Sequence, residues 1–521
     1  MKKPILISIA VITAICLVSC KSTSLSGKDF PSAEDSIVEV QGGKIFGALS
    51  DDGVVISYKG IPYAAAPVGE LRWEDPQDVE PWDGVRECTS LGHNCIQWSE
   101  SESTGFAKEF GIDLTLGSSE DCLTANVWTL NGDQENKKPV VVFIHGGGYV
   151  LGGSSCPVYG GESLARKGVV FISINYRLGA FGFLSIEELS NEKSISGNYA
   201  LKDAIKALQW VRDNADVFGG DASNVTVIGQ SAGARLVQTL VVSPKAEGLF
   251  SKAVTVSGGL LGRGFNDPQT AYRNTKSLVG DLSVEELRAI DAQELATTVG
   301  RNAGSMVIDG TYLTDSPSEV HKSGTANNVV VINGFVSGDA GGVYSGKRYI
   351  RTQQAYEEAV TKHFGDFASK VLEVYPATDE TAQVMINLVE QEENLGKVMY
   401  EASLLNNGTS NSSYTYYATH PYPQKSEQTA LAHTEDLAYW FNNLAEIREP
   451  YLTDYDYKLA DTMSDFIVSF ATDGDPNGKG LPTWNANTGD GSYMLFGEDV
   501  SCEKMSQSKL DLWMEYYSNN N

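Results

Sequence analysis

The sequence predicts an α/β fold with a mainly parallel central sheet and helices on both faces. Three observations predict it. First, β-branched runs recur: PVVVFIHGGG (139–148), GVVFISINYR (168–177), NVTVIG (224–229), KAVTVSGG (252–259) and NVVVINGF (328–335). They are continuously apolar rather than alternating, as strands covered on both faces must be. Second, Leu201, Ala204, Ala207, Leu208 and Val211 recur at helical spacing between the second and third runs, and Gly219-Gly220 supply a stop. Third, 521 residues, 41% apolar and 20% charged, are ample for one large core. Strands alternating with helices imply parallel pairing, and such sheets gather functional residues beyond the carboxyl ends of their strands.

The chain opens on Lys2 and Lys3, followed by an apolar run from Ile5 to Val18. That run has the layout of a secretory signal and is too short to span a membrane comfortably. It ends in Leu17-Val18-Ser19-Cys20, which resembles the bacterial lipoprotein box, where the cysteine is lipidated and becomes the new N-terminus. Residues 1–20 are therefore expected to be a lipoprotein signal peptide and 21–34 a flexible tether. Residues 35–521 are expected to form a single domain. The expected location is the periplasmic or outer face of a bacterial membrane, held there by lipid on Cys20 alone. Nothing downstream has 18 consecutive apolar residues, so no transmembrane helix is expected. The formal charge of −28 argues against nucleic acid or an anionic lipid surface as partner. Of seven cysteines, Cys16 leaves with the signal and Cys20 takes lipid. Cys88, Cys95, Cys122, Cys156 and Cys502 remain, an odd number, in a compartment that permits disulfides. No cysteine or histidine spacing suits zinc, so no metal is expected.

The third β-branched run leads into Gly229-Gln230-Ser231-Ala232-Gly233, with a helix-compatible run behind it. This is G-x-S-x-G between strand and helix, the nucleophile elbow, in which glycines avoid the crowding a β-carbon would cause. A serine hydroxyl needs a base and needs donors for the oxyanion formed on attack. His145-Gly146-Gly147-Gly148-Tyr149 follows the first run, and side-chain-free residues there let backbone amides approach a carbonyl oxygen. It lacks the GK[ST] ending of a phosphate cradle. For the base, His433 in ALAHTEDLAYWF and His420 after YTYYAT both lie C-terminal to the serine, and spacing does not choose between them. For the acid, Asp339 after NVVVINGFVSG fits a loop beyond a strand; Asp309 in VIDGTYL reads better as a turn.

Several blocks now align in order: YKGIPYAAAPVGELRW (58–73), EDCLTANVW (120–128), HGGGYVLGG, NYRLGAFGFL, FGGDASNVTVIGQSAG, AHTEDLAYWF and FATDGDPNGKGLPTW. From about residue 38 to about 500 the chain resembles the type-B carboxylesterase/lipase family, which includes the cholinesterases. The resemblance implies the α/β-hydrolase fold. It also implies a cofactor-free carboxylesterase working through an acyl-enzyme, with a small-molecule ester as substrate. Carried over by position, it makes Ser231 the nucleophile, His433 the base and Asp339 the acid. The oxyanion-hole amides become those of Gly147, Gly148 and Ala232. Cys95 and Cys122 match the family's first disulfide, whose loop forms a flap over the gorge. Two departures bear on substrates. Gln230 stands where the family usually has glutamate, which removes a carboxylate beside the nucleophile and weakens any preference for cations. Only Trp98 lies in the Cys95–Cys122 loop, at its start, whereas cholinesterases carry their choline-stacking tryptophan well inside. Asp339 is also one methylene shorter than the usual glutamate, so its loop must approach His433 more closely. Two other readings stand beside the esterase: an adhesion protein that has lost catalysis, and an amidase or carbamate hydrolase. Ser231 and His433 discriminate against the first. The sequence is silent on oligomeric state.

Overall fold

The computed structural model describes residues 36–98, 113–133, 136–191, 195–261, 264–340, 349–410, 412–421, 430–447 and 451–520. The signal 1–20 with Cys20, the tether 21–34, and residues 99–112 of the Cys95–Cys122 loop lie outside the described residues.

Among the described residues, eleven strands form one sheet. In chain order they are β1 (Ala48–Leu49), β2 (Val55–Pro62), β3 (Thr124–Leu130), β4 (Lys138–Ile144), β5 (Val170–Ile174) and β6 (Gly220–Gln230). Then come β7 (Lys252–Val256), β8 (Val330–Val336), β9 (Tyr414–Ala418), β10 (Ser492–Phe496) and β11 (Val500–Lys504). Their order across the sheet is β11-β10-β9-β8-β7-β6-β4-β5-β3-β2-β1. From β5 to β10 every pairing is parallel. Antiparallel strands close both edges.

The central strands are buried along almost their whole length, which is why their sequences read as unbroken apolar runs. Successive side chains leave by opposite faces. Val140, Val142 and Val227 pack with Leu201 and Leu208 of helix α1 (Tyr199–Asn214) and Leu236 and Leu240 of helix α2 (Ala232–Val242). Val141, Phe143 and Val254 face the other way, against Phe466 and Phe470 of a later helix (Asp454–Asp473). Each fully buried side chain of this kind contributes roughly 1.5–3 kcal/mol. Helices therefore cover both faces, as expected. The five predicted residues of α1 are all fully buried. The helix ends earlier than its glycines: a tight turn over Ala215–Phe218 follows, and Gly219 at φ 75° leads into β6. Two further helices are α3 (Pro268–Val279) and α4 (Ala382–Leu405), the second of which packs on β8. No helix among the described residues is long and apolar enough to cross a membrane.

Candidate active site

The turn from β6 to α2 has a single residue. β6 ends at Gln230, α2 begins at Ala232, and Ser231 stands between them at φ 54°, ψ −118°. A non-glycine residue held there carries strain of about 1–3 kcal/mol, which persists only when its surroundings fix it. They do. Ser231 N donates to Val256 O of the neighbouring strand at 2.8 Å. A β-carbon on Gly229 would collide with the carbonyl of Gly233, and one on Gly233 with the carbonyls of Ile144 and His145. The two glycines of the motif let strand and helix meet closely enough to expose the serine at the strand's carboxyl end.

Two loops arrive beside it. Beyond β8 a short turn, Ser337–Ala340, carries Asp339, and residues 430–435 carry His433. The loops are stitched together: Gly338 N donates to Leu431 O at 2.7 Å, and Leu431 N donates to Ser337 Oγ at 3.0 Å. A β-carbon on Gly338 would strike Leu431 O. The close approach that a short acid requires is thus built from a glycine. Asp339 Oδ1 lies 2.6 Å from His433 Nδ1, and His433 Nε2 lies 2.9 Å from Ser231 Oγ. A neutral ring that donates from Nδ1 to the carboxylate leaves Nε2 to accept the serine proton. Asp339 Oδ2 also accepts from Val336 N at 3.3 Å. Thr434, next to the histidine, sits at φ 84°, a strained position for a β-branched residue. Fully buried Gln230 brings its Nε2 within 3.3 Å of His433 Nε2.

The rivals go elsewhere. His420 Nε2 is 2.9 Å from Asp456 Oδ1. Asp309 Oδ1 accepts from the amides of Thr311, Tyr312 and Leu313 at 2.8, 2.7 and 2.9 Å, as a turn-former does. Sequence reasoning missed Asp436, one helical turn after His433. Its Oδ2 accepts from Tyr416 Oη at 3.0 Å and Trp440 Nε1 at 3.3 Å. Burial, then the charge of Asp339, pushes its carboxyl up to about 7. Only its spacing after the histidine could have drawn attention to it.

The glycine run after β4 lies over the serine. A β-carbon on Gly146 would sit 3.1 Å from Ser231 Cβ. Gly147 at φ 111° and Gly148 at φ 63° turn the chain back, with Val150 and Leu151 amides donating to Gly147 O. The amides of Gly147, Gly148 and Ala232 donate to no protein acceptor among the described residues. His145 is buried and stacked on Tyr176, with ring centroids 4.6 Å apart; burial pushes it down to about 4, so it is neutral. Cys95 and Cys122 are disulfide-bonded. Two residues on, Gln97 clamps the far end of the glycine run: its Nε2 donates to Gly152 O at 2.7 Å, and its Oε1 accepts from Gly152 N at 3.0 Å. Among the described residues no cluster of three or more His, Cys, Asp or Glu side chains is arranged to hold a metal ion.

Comparison with known proteins places these features in company. Residues 34–513 match the model of the carboxylesterase family. The chain is 32% identical over 473 residues to the fumonisin B1 esterase of Sphingopyxis macrogoltabida, covering 86% of this chain and 84% of that protein. It is 28% identical to the para-nitrobenzyl esterase of Bacillus subtilis (strain 168), covering 91% of this chain and 97% of that one. Among solved structures, a PNB esterase superposes with a TM-score of 0.75 at 26% identity, over 92% of this chain and 99% of its own.

Proposed function

The chain belongs to the carboxylesterase family and is a carboxylesterase of the α/β-hydrolase fold, and from that premise we propose that it works through a Ser231–His433–Asp339 triad and an acyl-enzyme. The observation that carries the reading is the hydrogen-bonded chain running from Asp339 through His433 to Ser231 at 2.6 and 2.9 Å. Ser231 Oγ attacks the ester carbonyl as His433 Nε2 takes its proton. Asp339 holds the ring in the tautomer that makes this possible and stabilises the imidazolium once formed. Negative charge then develops on the carbonyl oxygen. The amides of Gly147, Gly148 and Ala232 stabilise it, and the fixed turn around them needs no rearrangement at that moment. The imidazolium returns its proton to the departing alkoxide, which leaves as the alcohol. Water, deprotonated by His433, attacks the acyl-enzyme; collapse of the second tetrahedral intermediate releases the acid and restores Ser231.

The test is hydrolysis of a p-nitrophenyl ester series from acetate to palmitate, run beside Ser231→Ala. The variant is expected to lose on the order of 10⁴-fold or more in turnover while keeping its fold. Undiminished hydrolysis in the variant would remove Ser231 from the mechanism.

We also read residues 1–20 as a lipoprotein leader and 21–34 as a tether, so that one catalytic domain, 35–521, works at a bacterial membrane surface outside the cytoplasm. The support is Lys2-Lys3, the apolar run and Leu17-Val18-Ser19-Cys20. Cys20→Ser is expected to abolish incorporation of labelled fatty acid and to release the protein from the membrane fraction; incorporation that persists refutes the assignment.

A further inference from the structure

A groove with a cavity of about 310 Å³ opens beside the glycine run, between α3 and the segments around Phe183 and Gly304. It shares a wall with the catalytic machinery. The Phe183 ring lies 4.6 Å from that of Tyr149, the residue after Gly148. A β-carbon on Gly304 would lie 3.6 Å from Gly148 O. Its volume is at the lower end of the range for small-molecule sites, roughly 300–1,000 Å³.

The chemistry of the lining is unusual for so acidic a chain. No Asp, Glu, Lys or Arg lines the groove. Neutral hydrogen-bonding groups do, and several are unengaged. The side-chain amides of Asn266 and Asn274 and the hydroxyl of Ser305 have no hydrogen-bond partner among the described residues. Thr275 Oγ1 accepts from Ser185 N at 3.0 Å, which leaves its proton for another acceptor. An anion would call for donors alone and a cation for acceptors alone. A side-chain amide offers both in one plane, and a hydroxyl offers both on one atom. That mixture matches adjacent hydroxyls, which each donate and accept. Leu278, half-buried on α3, and Phe183 supply apolar lining for the C–H side of the same molecule.

We propose that this groove holds the neutral, polyhydroxylated portion of the ester substrate, a monosaccharide-sized polyol, so that acylated sugars are the substrate class. The inference rests on the catalytic reading above, because it treats the groove as an extension of that site. Asn274 is exposed on α3, so replacing it puts little of the fold at risk.

The test compares kcat/KM of the full-length protein for a monoacetylated methyl glucoside and for hexyl acetate, in the unchanged chain, Asn274→Leu, Asn266→Leu and Ser231→Ala. Each asparagine variant is expected to lower kcat/KM for the sugar ester by roughly tenfold or more. Hexyl acetate is expected to change by less than about twofold. Equal effects on both esters, or none on either, overturn the proposal. Saturation-transfer NMR with methyl glucoside on Ser231→Ala protein supplies a readout free of catalysis. Transfer to the sugar ring, weakened by adding Asn274→Leu, is expected; its absence also overturns the proposal. Sugar binding that survives while ester hydrolysis proves independent of Ser231 would sink the triad and leave the groove standing.

Discussion

Gln230 occupies the most informative position beside the proposed nucleophile. It is fully buried, and its amide nitrogen faces the same His433 nitrogen that accepts from Ser231. A carboxylate there would favour the imidazolium. Gln230→Glu is therefore expected to raise the histidine's pKa, moving the acid limb of kcat/KM against pH upward by roughly one unit. A profile that stays in place would show that the side chain at 230 is not electrostatically coupled to the ring. Ser231 was legible in the sequence because its motif states a backbone demand: two glycines around a serine between strand and helix. His433 and His420 were not separable by spacing, and only the family-like block AHTEDLAYWF favoured His433. In three dimensions they also differ in the carboxylate each one meets, which spacing cannot show. Asp436 was illegible for the same reason. Nothing in HTED says that the third residue after the histidine will be sealed against Tyr416 and Trp440.

The loops that carry Asp339 and His433 act as one element. Gly338 lets them touch, and the shortness of Asp339 makes that contact necessary. Gly338→Ala inserts a methyl against Leu431 O. The variant is expected to separate Asp339 from His433, lowering kcat on the order of 10²-fold with KM little changed. A loss confined to KM would mean that the loops serve substrate binding instead. At this scale the sequence showed the centre of the sheet and hid its edges. β4, β5, β6, β7 and β8 announce themselves because burial on both faces demands unbroken apolar runs. β10, by contrast, alternates buried and half-buried residues, and β1 has only two residues. Neither leaves a run to read. The early end of α1 was also hidden, because Ala215–Phe218 keeps the helical composition while tightening its turn.

For the molecule as a whole, two buried histidines set a stability limit in acid. Burial pushes both His145 and His321 down from 6.5 to about 4. Between those values the unfolded chain binds protons that the folded chain refuses. Stability is therefore complete above about pH 6.5 and falls as pH drops toward 4, by at most about 3 kcal/mol for each histidine. His321 is the simpler case, since neither ring nitrogen has a hydrogen-bond partner among the described residues. His321→Phe is expected to raise the urea midpoint, and to raise it more at about pH 5 than at about pH 8. An equal gain at both would remove titration from the explanation. The topology also sets a timetable. Ser231 and His433 are 202 residues apart, and Asp339 and His433 are 94 apart. If the proposed triad holds, the elbow can form from β6, α2 and their neighbours before residue 433 is made, yet it has no base until that residue arrives. Regained hydrolysis during refolding is then expected to clock the closing of the longest loops, not the initial collapse, and a nascent chain that stops short of residue 433 is expected to attack no ester.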